Sequence, residues 1–196
     1  TGFRFGTGGA QKYLGFTPDL TILGKAIGGG VPFAAMAGKK FVFEKIISGE
    51  VVHAGTLNSN PLCLAASKWC LDELIALGDT HPASIKARGE RLMAGLRQLA
   101  DKHGIPLRPQ GAGLVFHTVV LKPGAAEGPI NDYRDYVQRH DAPRFAHIRR
   151  CLLEEGVRAI ERGLWFLSLA HTDADIDETL ERADRAFARH ACEWKA

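Results

Sequence analysis

Pro18-Asp-Leu-Thr-Ile-Leu-Gly-Lys25, followed by Ala26-Ile27 and the run Gly28-Gly-Gly30, is the stretch on which the reading of this chain turns. Asp19 to Leu23 is a compact strand candidate, β-branched at Thr21 and Ile22 and entered from a proline. A second apolar run, Val31 to Ala37, follows the glycines at once and is broken by Gly38. Two strands joined through GKAIGGG need a tight connection of special geometry, because glycine alone takes positive φ without steric cost. Lys25 stands directly after a strand and a glycine, with little side-chain clutter around it. Such a lysine is either an amine placed to form a Schiff base or a phosphate-binding lysine beside a glycine-rich loop. It does not belong to a P-loop, since it precedes the glycines.

Upstream, the first five residues read as the end of a strand, with no polar lead-in segment before them. The chain starts on Thr1 rather than Met and carries no charged-then-apolar leader, so it reads as a portion of a longer protein. Downstream, Asn60-Pro61 opens a strong helix, with Asn60 as N-cap and Pro61 at the first helical position. Leu62, Ala65, Ala66, Trp69, Cys70, Leu74 and Leu77 follow at helical spacing, and Gly78 stops the run. Ser84 to Lys102 is a second long helix with Ile85, Leu92, Leu96 and Leu99 on one face.

From residue 105 the texture changes. Gly113 to Leu121 is predicted as a strand, and Pro123 to Asp141, polar and glycine-bearing, as a mobile excursion with one helical turn. Pro143 to Glu155 reads as helix closed by Gly156, and Val157–Ile160 and Leu164–Leu169 as short strands. Thr172-Asp-Ala-Asp175 is a capping signature opening a helix to about His190. Strand, helix, two strands and helix make a small α+β module.

The 196 residues carry 25 Lys plus Arg against 22 Asp plus Glu, dispersed along the chain, which is no footprint for nucleic acid. No run approaches the ~18 apolar residues of a membrane helix. Cys63, Cys70, Cys151 and Cys192 are well separated without a CxxC pair, so neither disulfides nor a metal site is expected. Cys63 and Cys70 lie in the apolar helical pattern, where cysteine acts as a small buried hydrophobe. This usage points to a reducing, cytoplasmic compartment.

Taken in order, Thr1-Gly-Phe-Arg4, Gly8-Gly-Ala-Gln11, Pro18 to Lys25, Gly28-Gly-Gly30, His53-Ala-Gly-Thr56 and Asn60-Pro61 closely resemble the class III, subgroup II aminotransferases that depend on pyridoxal phosphate. Ser168 to Ile176 resembles that family's C-terminal segment, so the likeness spans essentially the whole chain. Within the family it looks most like glutamate-1-semialdehyde aminomutases and β-phenylalanine aminotransferases. The resemblance implies an α/β, fold-type I transferase. Residues 1–78 would be the C-terminal part of a large, mostly parallel-sheet cofactor domain, and 79–196 a connecting helix with the small α+β C-terminal domain.

The same resemblance implies roles for three residues. Lys25 matches the lysine that holds pyridoxal phosphate as an internal aldimine and moves the proton. Thr56 matches the threonine that binds the cofactor phosphate across a homodimer interface. Arg162, in Arg-Gly-Leu-Trp-Phe-Leu-Ser168, resembles an arginine that grips the carboxylate of a substrate, in a fork suited to two parallel hydrogen bonds. Glu161 stands where that segment has proline. Arg4 and Gln11 match family positions with structural roles, His53 is a candidate pocket residue, and His171 suits the start of the last helix or the core. The implied reaction moves an amino group between an amino acid and a keto acid. An aminomutase is the alternative enzyme, and an inactive fragment or assembly partner the alternative of another class. The family's aspartate at the pyridine nitrogen belongs upstream of Thr1, so the chain alone is expected to be inactive.

Overall fold

The computed structural model describes residues 2–194. They divide into two compact units, one ending at Pro82 and one starting at Ala83. In the first unit Phe3–Phe5 form a single 3-10 turn rather than the end of a strand. Gly6, at φ +98, reverses the chain there, and its N–H donates to the Phe3 carbonyl at 2.8 Å. Helix α1 (Gly9–Leu14) ends on the left-handed Gly15, and strand β1 (Leu20–Gly24) follows.

Strand β2 (Ala34–Gly38) pairs antiparallel with β1, from Leu20 opposite Gly38 to Gly24 opposite Ala34. It starts three residues later than the apolar run suggests, because Val31–Phe33 complete the connection. That connection is a 3-10 turn, Lys25–Gly28, followed by Gly29 and Gly30 at φ +60 and +96. Helix α2 (Lys40–Ile47) and an open loop lead to helix α3 (Pro61–Leu77). The α3 cap is as the sequence dictates: Asn60 Oδ1 accepts from the Cys63 N–H at 3.2 Å, and Gly78 ends the helix at φ +62. Its apolar residues are less covered than their spacing suggests. Cys63 and Cys70 are only half-buried, and Leu62 and Trp69 are 74% and 66% exposed.

The second unit is built on helix α4 (His81–Lys102), whose Ile85, Leu92, Leu96 and Ala100 are buried. Against its core lies an antiparallel sheet in the order β3 (Leu107–Gly111), β4 (Val115–Val120), β5 (Leu164–Phe166). All described strand pairs in both units are thus antiparallel. Strand β3 is invisible in the sequence because Arg108-Pro109-Gln110-Gly111 is polar and breaker-rich. An edge strand tolerates proline, which has no N–H for the ladder.

Residues 123–141 are better organised than the sequence implies, with a seven-residue helix α5 (Tyr133–Arg139). The Arg139 guanidinium ties them together: Nη1 donates to Asp135 Oδ2 at 2.9 Å, and Nη2 to the Gly128 carbonyl at 2.8 Å. Helix α6 (Ala142–Glu154) is capped by Asp141, and helix α7 (Asp173–Glu193) by the Thr172–Asp175 capping box. Residues 157–160 keep the alternation of a strand, with Val157 and Ala159 buried, yet join no ladder. Phe116, Phe145, Phe187, Ile148 and Leu152 fill the core.

Candidate active site

Lys25 follows the extended Gly24 and has its own backbone at φ +57, in the left-handed region that a side chain with a Cβ rarely occupies. The surrounding structure holds it there. Ser67 Oγ of α3 donates to the Ile27 carbonyl at 2.7 Å, and Cys70 Sγ to the Ala26 carbonyl at 3.2 Å. Gly29 lies so close to α3 that a Cβ on it would stand 3.2 Å from Cys70 Cβ. The two carbonyls after Lys25 are therefore pinned, and the glycines permit the approach.

The Lys25 ammonium is exposed and, like that of Lys40, makes no ion pair among the described residues, whereas the other four lysines of this unit are engaged. Lys12 pairs with Asp79, Lys39 with Asp19, Lys45 with Glu50 and Lys68 with Asp72, each at 2.5–2.6 Å. Thr56 lies on the exposed turn just before the α3 cap, where the Asn58 N–H donates to the Gly55 carbonyl at 3.0 Å. Its hydroxyl makes no hydrogen bond among the described residues. His53 is exposed in the same loop. Gln11 ties α1 to β1 by accepting from Thr21 Oγ1 at 3.3 Å, and the Arg4 guanidinium lies 5.6 Å from the centre of its neighbour's ring, Phe3.

Arg162 belongs to the second unit, on an exposed turn entering β5. Gly163, at φ +78, makes the turn, and a Cβ there would overlap the Thr118 carbonyl. The Gly163 carbonyl accepts from Thr118 N at 2.8 Å and from Thr118 Oγ1 at 3.1 Å, and Trp165 Nε1 donates to Thr118 Oγ1 at 3.1 Å. His117 Nε2 donates to the Arg162 carbonyl. Burial, outweighing that bond, pushes the His117 imidazole below its ordinary value. The turn is thus fixed through Gly163 and β4, without the proline that Glu161 replaces. Burial pushes the Tyr136 hydroxyl up, while the Arg162 charge pulls it the other way.

Lys25 and Thr56 thus both lie in the first unit, Lys25 beside the carbonyls that α3 holds and Thr56 on the exposed turn before α3, and Arg162 lies in the second unit. Ser67 and Cys70 were missed by the sequence because a small polar residue in an apolar helical run does not name its partner. His117 and Thr118 were likewise hidden inside a strand. His171 Nδ1 accepts from Ser168 N at 3.0 Å and closes the turn before α7. An open groove of about 620 Å³ runs along β5 and α7, and Arg162 is not among its lining residues.

The family model of the class-III aminotransferases matches residues 1–187. The chain belongs to the class-III aminotransferases. Solved structures agree. An omega-transaminase from Sphaerobacter thermophilus is 27% identical, with a TM-score of 0.78, over 96% of this chain and 42% of its own. A β-phenylalanine aminotransferase from Variovorax paradoxus is 28% identical, with a TM-score of 0.78, over 97% of this chain and 43% of its own. The FumI protein of Sphingopyxis sp. MTA144, solved in its PLP internal aldimine form, is 25% identical, with a TM-score of 0.75, over 96% and 41%. This class-III chain therefore has part of the fold of the fold-type I transaminases and spans about two fifths of their length. Among the described residues no helix is long and apolar enough to cross a membrane.

Proposed function

We propose that the protein to which this chain belongs is a pyridoxal-phosphate-dependent aminotransferase that moves an amino group between an amino acid and a keto acid. The observation that carries the reading is Lys25 itself: an uncommitted amine at a strand end, in a strained conformation, in a chain of the class-III family. Strain of this kind costs about 1–3 kcal/mol and clusters where function demands it.

The residues present fit the cofactor. Lys25 Nζ, exposed and without an ion pair among the described residues, can hold its carbonyl carbon. The Thr56 hydroxyl and backbone N–H, on an exposed turn, can hold its phosphate, which in this reading belongs to the partner subunit of a homodimer. When bound, the cofactor supplies the electron sink. Lys25 Nζ takes the proton from the substrate carbon and returns it on the other side of the exchange. The Arg162 guanidinium grips the substrate carboxylate and fixes its orientation.

An aminomutase would share Lys25 and Thr56. The solved relatives named above include an omega-transaminase and a β-phenylalanine aminotransferase, which supports the transaminase reading over it.

Borohydride reduction of the full-length protein with pyridoxal phosphate, followed by peptide mapping, tests the assignment. The pyridoxyl label is expected on Lys25, and Lys25→Ala is expected to abolish turnover. A label on Lys12, Lys39 or Lys40 overturns it.

A further inference from the structure

We propose that Ser67 is a positioning residue for the amino-group transfer: from the buried side of α3 it sets, through the Ile27 carbonyl, the backbone from which Lys25 aims its amine. The inference deepens the proposed function and rests on the role given to Lys25 there.

Ser67 is the only residue of α3 to be buried, at 2% exposure. Alanine would fill that space, favour the helix and bring no polar group to satisfy. A serine inside a helix commonly turns its hydroxyl back to the carbonyl one turn earlier. Ser67 Oγ instead donates to the Ile27 carbonyl at 2.7 Å, across 40 residues of sequence. A buried hydroxyl keeps such a partner, so the bond ties α3 to the turn that carries Lys25.

That turn has little slack. Ile27 lies within the 3-10 turn Lys25–Gly28, which begins on Lys25 itself at φ +57. Gly28 is buried, and a Cβ on Gly29 would stand 3.5 Å from the Ala66 carbonyl as well as 3.2 Å from Cys70 Cβ. Cys70 Sγ supports the Ala26 carbonyl, but a thiol is a weak donor, and that carbonyl also accepts the Gly29 N–H at 3.1 Å. Of the two side-chain bonds from α3, the serine's is therefore the one on which the turn depends.

What the bond controls is direction. A lysine side chain is a flexible four-carbon stem, so the part of its path that the fold fixes is the Cα–Cβ bond, set by the backbone of Lys25. Released from the left-handed region, φ returns to the values an L residue prefers. The Cα–Cβ bond then turns relative to β1, and Nζ at the far end is carried away from its place. A misplacement of about 1 Å costs on the order of 100-fold in rate. Ser67 acts on the amine through this backbone alone.

Full-length protein carrying Ser67→Ala, Ser67→Cys or Cys70→Ala tests the proposal on two readouts. With cofactor, Ser67→Ala should keep the pyridoxyl label on Lys25 and the KM for the amino acid, while kcat falls about 10- to 100-fold. Ser67→Cys, similar in size with a weaker donor, should fall in between, and Cys70→Ala should lose less than Ser67→Ala. Without cofactor, Lys25→Gly and Lys25→Ala are compared in both backgrounds. With Ser67 in place, the glycine variant should have the larger folding equilibrium constant by about fivefold. In the Ser67→Ala background the turn relaxes and that advantage should largely vanish. Should Ser67→Ala fail to fold, Ser67→Cys against the unsubstituted protein carries both readouts. A label on Lys25 with kcat unchanged, or the fivefold advantage intact without the serine hydroxyl, overturns the positioning role and leaves the proposed function standing. An equal loss of kcat in Cys70→Ala overturns the assignment to Ser67. A label on another lysine of the unsubstituted protein overturns the proposed function, and this inference with it.

Discussion

Lys25 is held at φ +57 by two hydrogen bonds from α3 to the carbonyls that follow it. An L residue there pays about 1–2 kcal/mol that glycine does not. Lys25→Gly should therefore melt as a protein about 1 kcal/mol more stable than Lys25→Ala, while both variants lose the pyridoxyl label. Equal stability of the two, measured without cofactor, would show that the backbone is not strained. Arg162 gives a second test at this scale. If it grips a carboxylate, Arg162→Ala should lower kcat/KM for amino acids about 30-fold to several thousand-fold, the ~2–5 kcal/mol of a broken buried charge pair. Amines without a carboxylate should be little affected, and Arg162→Lys should rescue in part. An unchanged ratio between an amino acid and its decarboxylated analogue would make Arg162 structural. The strand, glycine, lysine and triple glycine were legible because breakers and β-branched residues act locally. The support from Ser67 and Cys70 was not, since a partner 40 or 44 residues away leaves no local mark.

Among the elements, the capped long helices and four of the five described strands were legible, whereas the uncapped helices α1 and α2, strand β3 and the pairing of the strands were not. Caps at Asn60, Asp141 and Thr172 are short-range signals, each closed within three residues. Strand β3 and the unpaired 157–160 segment depend on which neighbour supplies a ladder, which no window of sequence states. Long-range packing also reverses a local rule at Gly89, inside α4. By helix propensity Gly89→Ala should stabilise by about 1 kcal/mol. A Cβ there would instead overlap the Gly113 backbone carbonyl, and Gly113 is itself held at φ +79. Since a backbone atom cannot rotate aside, Gly89→Ala should destabilise by about 1–3 kcal/mol, read as a lower denaturant midpoint at unchanged slope. A stabilised variant would show that α4 and the β3–β4 turn separate easily.

Across the whole molecule, the two units differ in how they meet solvent. The second has a continuous apolar core, whereas the first leaves Ile22, Val52, Leu57, Leu62, Trp69 and Ile75 at least 65% exposed. Single exposed apolar residues are ordinary, but so many within one unit fit the proposed reading, in which the rest of the protein and a second subunit cover them. The solved relatives are more than twice as long as this chain, and the proposed function adds a second subunit. Thr56 sits within this exposed stretch, one residue before Leu57, which agrees with a hydroxyl that serves a neighbouring subunit. Losing one hydrogen bond to a charged phosphate costs about 1.5–3 kcal/mol, so Thr56→Ala should weaken cofactor affinity about 10- to 150-fold. Full-length Thr56→Ala and Lys25→Ala subunits, mixed and allowed to exchange, report which chain the hydroxyl serves. In a mixed dimer with Thr56 acting across the interface, one site carries both lesions and the other carries neither. Activity at limiting cofactor should then rise above that of either parent. If Thr56 serves its own chain, each site of the mixed dimer keeps one lesion, and proven exchange brings no recovery.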